Sequence, residues 1–185
     1  DNAWAVGQSV LMSNHIVDAS VVMVTRRGAH QSTVTEDSII ALPYRFYISW
    51  CMKDQFREDQ IVYYNTVEEC LDAINEGKAD ATYVNELVAT YFLSELEYSN
   101  LFATANSGYN ENLAFAVNKD SEAPLLGILD KSLLCIGSNE MDRIIIQNSI
   151  AEQKISLRGL YYSEPTLIIS VIIGIVIVIA ILVIV

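Results

Sequence analysis

Three observations predict an α/β fold that ends in a single membrane-crossing helix. Short β-branched runs alternate with amphipathic stretches between Ser20 and Ala151. A T-x-x-E box opens the best patterned of those stretches, and the last 19 residues, Leu167–Val185, are apolar except for Ser170 and Gly174. The 185 residues are 52% hydrophobic, with 23 acidic against 11 basic residues and a net charge of −12, and every charge precedes Pro165. Without the tail the apolar share falls to roughly 48%, that of an ordinary globular domain. The acidic surface repels phosphate backbones, which excludes nucleic acid as a partner.

Ser20–Thr25 (SVVMVT) is a buried strand closed by Arg26, Arg27 and Gly28. The polar run His30–Asp37 is a connector, and Ser38–Leu42 is a strand stopped by Pro43. Tyr44–Glu58 carries a helical pattern with Tyr47, Trp50, Cys51 and Met52 on one side, and Ile61–Tyr64 returns to strand. Thr66 and Glu69 form a capping box for a helix whose inner face is Val67, Cys70, Leu71 and Ile74 and which Gly77 ends. Ala79–Val84 is a fourth strand. Glu86–Leu96 is a helix with Leu87, Val88, Tyr91 and Leu96 on one side. A weak strand at Leu101–Thr104 and an apolar run at Asn112–Val117 precede helices at Ala123–Ile136 and Asn139–Ala151, then a polar linker from Glu152 to Glu164. This alternation predicts a parallel sheet with ligands at the carboxyl ends of its strands.

The tail spans roughly 28 Å as a helix, close to the thickness of a bilayer core. Nine Ile and five Val with no polar face do not suit a core helix, while Pro165 suits the first turn and Tyr161 and Tyr162 suit an interface. Asp1 is followed by no signal peptide, so an extracytoplasmic body needs one upstream, and a span that reaches Val185 implies a downstream portion. Cys51, Cys70 and Cys135 form no zinc spacing with His15 and His30; they are buried free thiols, or Cys51 and Cys70 form a bridge. No metal and no cofactor is expected. No nucleophile elbow, zinc-protease helix, P-loop or dinucleotide fingerprint is present, so this chain is not expected to be an enzyme.

Four stretches resemble the type 2 periplasmic-binding-protein fold, specifically solute-binding protein family 3: VVMVTRRG (Val21–Gly28), SIIAL (Ser38–Leu42), TVEECLDAINEGKADATYVNELVATYFL (Thr66–Leu93) and NLAFAVNKD (Asn112–Asp120). The resemblance implies a two-lobed clamshell. Residues 1–36 would end the first lobe and supply the first hinge strand, 37–110 would be the second lobe, and 111–151 the return hinge strand and the C-terminal helices of the first lobe. Residues 152–166 would be a juxtamembrane linker and 167–185 the span. The opening part of the first lobe, with the family's ligand-clamping arginine, would lie outside this sequence.

The family's amino-acid binders place a carboxylate for the ligand ammonium where this chain has Asn85, which argues against a plain α-amino acid. Glu86 is the neighbouring substitute, or a solvated helix-start residue. The family's small turn after the first strand of the second lobe is here Pro43, Tyr44, Arg45 and Phe46. Arg45 could contact an anion there, or lie on the surface beside an aromatic cluster of Tyr44, Tyr47 and Trp50. Tyr44, Arg45, Asn85 and Glu86 are thus the candidate ligand contacts. Asp80 fits a structural turn acceptor, and His15 and His30 have no assigned role.

The architecture resembles membrane-anchored bacterial sensors, which implies an extracytoplasmic body (residues 1–164), a downstream histidine kinase or diguanylate cyclase and ligand-driven lobe closure passed to the span. The alternative is a tethered carrier for an ABC-type transporter. The expected partners are a small solute, the bilayer through residues 167–185, and a second copy through the same span.

Overall fold

A computed structural model describes residues 10–28, 34–120, 123–150 and 157–184. The strands are β1 (Val10–Arg26), β2 (Ile40–Pro43), β3 (Ile61–Tyr64), β4 (Ala81–Asn85) and β5 (Leu101–Asn118). The helices are α1 (Tyr47–Met52), α2 (Val67–Asn75), α3 (Glu86–Leu93), α4 (Ala123–Cys135), α5 (Ser138–Asn148), α6 (Leu157–Ser163) and α7 (Pro165–Ile184), with short 3-10 turns at Glu58–Gln60 and Leu96–Tyr98.

One sheet runs in the order β3-β2-β4-β1-β5. Only part of it is parallel, which corrects the expectation of a parallel sheet: β2 pairs parallel with β3 and β4, whereas β1 pairs antiparallel with β4 and with β5. The cause lies in the connections. Helices return the chain between β2, β3 and β4, while β1 and β5 run past each other as one long ribbon from Val10↔Asn118 to Arg26↔Leu101. Bulges interrupt that ribbon around Met12–Val17 and again around Ser20–Val24, where Gly108 adopts φ +85°, and such insertions bend and twist a strand pair.

Side chains alternate across the sheet into two cores. Val22, Val24, Ala41 and Val84 meet Cys70, Leu71 and Ile74 of α2, Ala89 of α3, and Tyr98. Val21, Met23, Ile40, Leu42 and Tyr83 meet Ile48 and Met52 of α1. With both faces covered, β2 and β4 are buried along their whole length.

Helix α2 is capped at both ends. Thr66 Oγ1 accepts from Glu69 N at 3.1 Å, and Glu69 Oε2 accepts from Asn65 N at 2.8 Å, one residue before the usual reciprocal partner. At the other end Lys78 N donates to Ala73 O and Gly77 N to Ile74 O, a Schellman motif whose left-handed residue is Gly77 at φ +74°.

Four segments depart from the expected pattern. The helix expected over Tyr44–Glu58 is six residues long and buries Ile48, Ser49 and Met52 while Trp50 is exposed, because the i, i+4 pair Ile48 and Met52 faces the sheet. Helix α3 buries Ala89, with Phe92 and Leu93 against the core, and leaves Tyr91 exposed. The two separate strands expected near Leu101 and Asn112 are one strand, and half of the polar linker is the helix α6. Helix α6 packs on the Leu96–Tyr98 turn and adjoins α7. Residues 152–156 of that linker lie outside the described residues, as does His30 in the connector.

Candidate ligand-binding site

The carboxyl ends of the parallel strands meet the ribbon at one cleft. Strand β2 ends in Pro43, and Phe46 N donates back to Pro43 O at 3.3 Å, closing a turn with Tyr44 and Arg45 at its centre. Arg45 has φ +65°, a conformation that glycine takes without cost. Tyr44 N donates to Tyr64 O and Ser49 Oγ to Pro43 O, so the turn is fastened from β3 and α1. The guanidinium of Arg45 lies over the Tyr44 ring, 5.3 Å from its centroid.

Arg45 and Asn85 both line a cleft of about 720 Å³, together with Phe46, Tyr47, Leu87 and Val88 from the same side and Met12 and Asn110–Ala114 from the ribbon. Strand β4 carries Asn85 to the cleft. Its Oδ1 accepts from Leu87 N at 2.8 Å and so caps α3, while its Nδ2 donates to Glu111 Oε2 at 3.2 Å. Tyr47 hydrogen-bonds Cys51 and is partly desolvated, which pushes its phenol up to about 12 and keeps it a neutral donor.

Tyr44 faces an adjoining aromatic hollow with Trp50, Lys53 and Tyr63, and Arg45 is shared between hollow and cleft. Glu86 is exposed in the first turn of α3 and lines neither of these cavities. Sequence patterning therefore points to two residues of the cleft, Arg45 and Asn85. It passes over Glu111, which arrives from β5 and has no local signal. Asp80 Oδ2 accepts from Ile39 N at 2.8 Å, the structural acceptor expected of it. His15 lies 3.6 Å from Asp18 on the exposed part of β1. All three cysteines are free, so Cys51 and Cys70 form no bridge, and Cys135 is exposed rather than buried. Burial pushes the Cys70 thiol up to about 12, leaving it protonated and unreactive.

The strained turn makes a specific prediction. Arg45→Gly is expected to raise stability by up to about 1 kcal/mol, the relieved left-handed strain less the entropy that glycine loses on folding, while removing the cation from the cleft. Denaturant titration checks it, and a lowered midpoint would mean that contacts of the Arg45 side chain outweigh the strain.

The sequence matches no protein-family model and no curated protein. Solved structures do resemble it. The periplasmic VFT2 domain of Bordetella pertussis BvgS superposes with TM-score 0.67 at 20% identity, covering 78% of this chain and 63% of that one. The amino acid ABC transporter substrate-binding protein AbpA of Streptococcus pneumoniae, bound to L-arginine, gives 0.68 at 17% identity over 77% of this chain and 62% of that one. The B. pertussis BvgS periplasmic domain gives 0.67 at 20% identity, covering 91% of this chain and 33% of that one. The chain thus spans less than two-thirds of the length of the domains it resembles. Its described residues have the α/β fold of type 2 periplasmic solute-binding domains without the full length of their two lobes, and among them one helix is long and apolar enough to cross a membrane.

Proposed function

We propose that this chain is the extracytoplasmic solute-binding and membrane-anchoring part of a single-pass bacterial signalling protein, non-catalytic in itself, in which lobe closure is passed to α7. Residues 37–110 act as the second lobe, with 1–36 and 111–151 belonging to the first. The observation that carries the sensory reading is the seating of α6 on Leu96–Tyr98. Through it the segment leading into the span rests on the lobe that closure would move. A solute that contacts both lobes favours the closed state only by its differential affinity, and this contact gives that difference a path to the membrane. A second copy would meet the first through the span, where Ser170 and Gly174, four residues apart, share one face.

The cleft and the likeness to a transporter's substrate-binding protein also favour a second reading, a tethered carrier that delivers solute to an ABC-type transporter. The two differ in what α6 does. With the full chain in lipid nanodiscs and a pool of amino acids, dicarboxylates and small peptides, the sensory reading expects amide exchange to change both at the cleft and along Leu157–Ser163. Protection at the cleft with unchanged exchange along α6 would favour the carrier. Unchanged exchange at both would remove the solute-binding reading.

A further inference from the structure

Asn85 stands where the resembling family has the carboxylate that pairs with a ligand ammonium, and the structure shows that its amide is already committed. Its oxygen caps α3 through Leu87 N and its nitrogen donates to Glu111 Oε2, in a residue 5% exposed. A flipped amide would set its oxygen against a carboxylate and its NH2 against an N–H, so both partners fix one orientation. Asn85 is thus held at both ends of its amide and carries no charge, so the negative group at this point of the cleft is the carboxylate it holds. Glu111 is part-buried, beside Leu87, Val88 and Leu113, where low polarity strengthens a charge contact. The cleft's cation, Arg45, forms no ion pair with Glu111, so the negative charge is not already neutralised from that side.

We propose that Glu111 is the cation-binding group of the cleft, positioned by Asn85, and that it takes a small solute bearing an ammonium or guanidinium group. The proposal rests on the solute-binding reading and narrows it. The negative charge that α-amino-acid recognition would place on β4 is supplied from β5, on the hinge ribbon itself. A cation bound there touches the strand pair between its two irregular stretches, Met12–Val17 and Ser20–Val24, since Glu111 pairs with Ala19. Arg45, across the same cleft, favours solutes whose remainder is neutral or anionic.

Calorimetry on the full chain in nanodiscs tests this with agmatine, L-arginine and glutarate as probes. At least one of the two cations is expected to bind, and glutarate is not. Glu111→Gln keeps an oxygen to accept from Asn85 Nδ2 and is expected to weaken cation binding by about tenfold to a hundredfold, with Glu111→Asp recovering part of the loss. A melting temperature close to wild type identifies the Gln variant as folded; should it not fold, Glu111→Asp decides, with cation binding weaker than wild type in support and unchanged binding against. Cation binding that Glu111→Gln leaves intact overturns the proposal. Glutarate binding without cation binding also overturns it, yet leaves the solute-binding reading standing. If none of the three binds, the proposal fails, and the wider reading stands or falls on the exchange experiment with the mixed pool.

Discussion

Tyr98→Ala is expected to destabilise the chain by about 3–5 kcal/mol, enough to lower the melting temperature by about 10 °C or more. Tyr98 is 1% exposed and is the largest of the fully buried side chains among the described residues. Its ring meets Phe92 edge-on at 5.9 Å, and its hydroxyl donates to Asp72 Oδ1 at 3.2 Å, tying the Leu96–Tyr98 turn to α2. Burial and the nearby acids Asp72, Glu68 and Glu97 hold the phenol protonated at any working pH, so this bond persists. Tyr98→Phe should cost only about 1 kcal/mol, because Asp72 is part-exposed and regains water. The truncation should have a second consequence. Helix α6 rests on this turn, so amide exchange along Leu157–Ser163 should accelerate in Tyr98→Ala and not in Tyr98→Phe. A melting temperature unchanged in the alanine variant would mean that the core cluster around α2 closes without the ring.

The elements visible in the sequence are those whose signals are local. The capping box at Thr66 and Glu69, the glycine at 77 and the β-branched run at Ile61–Tyr64 each specify an element from its own residues. Val10–Ala19 has no such signal, because Ser13, Asn14, His15 and Asp18 interrupt its apolar residues and it becomes strand by pairing with Glu111–Asn118, about a hundred residues away. The inner face of α1 is hidden for a related reason. Tyr47 and Trp50 are the more hydrophobic-looking side, but they stack on each other at 6.3 Å, Tyr47 half-buried and Trp50 exposed, while Ile48 and Met52 fill the core. At the cleft, Arg45 and Asn85 stand out as departures from a known pattern. Glu111 does not, since its importance comes from the amide that reaches it across 26 residues. The seating of α6 on Leu96–Tyr98 is equally non-local, which is why a polar stretch of sequence reads as a linker and folds in part as a helix.

The largest effect expected outside the α/β body is at the membrane. The window Pro165–Leu182 has a mean hydropathy of 3.0 and none of it is buried against the rest of the chain. A core helix of the same composition would be covered by protein, whereas here Val171, Ile172, Ile173 and Ile181, which point to all sides of the helix, are exposed. An apolar surface of this extent favours lipid over water. Pro165 begins the helix where a missing amide costs nothing, and the Ser170 hydroxyl returns to Leu167 O, so no polar group of that side chain is left to lipid. The full chain is therefore expected to stay with the membrane on carbonate extraction, and a chain ended at Ser163 to be released. Ile175 lies near the middle of the window, where replacing it by arginine should disfavour insertion by about 3–4 kcal/mol, shifting a large part of the population out of the bilayer. Ile181→Arg, one turn from the end, should cost much less because a long side chain there reaches the interface. Equal loss of insertion from both substitutions, or release of the wild-type chain by carbonate, would mean that α7 packs against protein and does not span the bilayer.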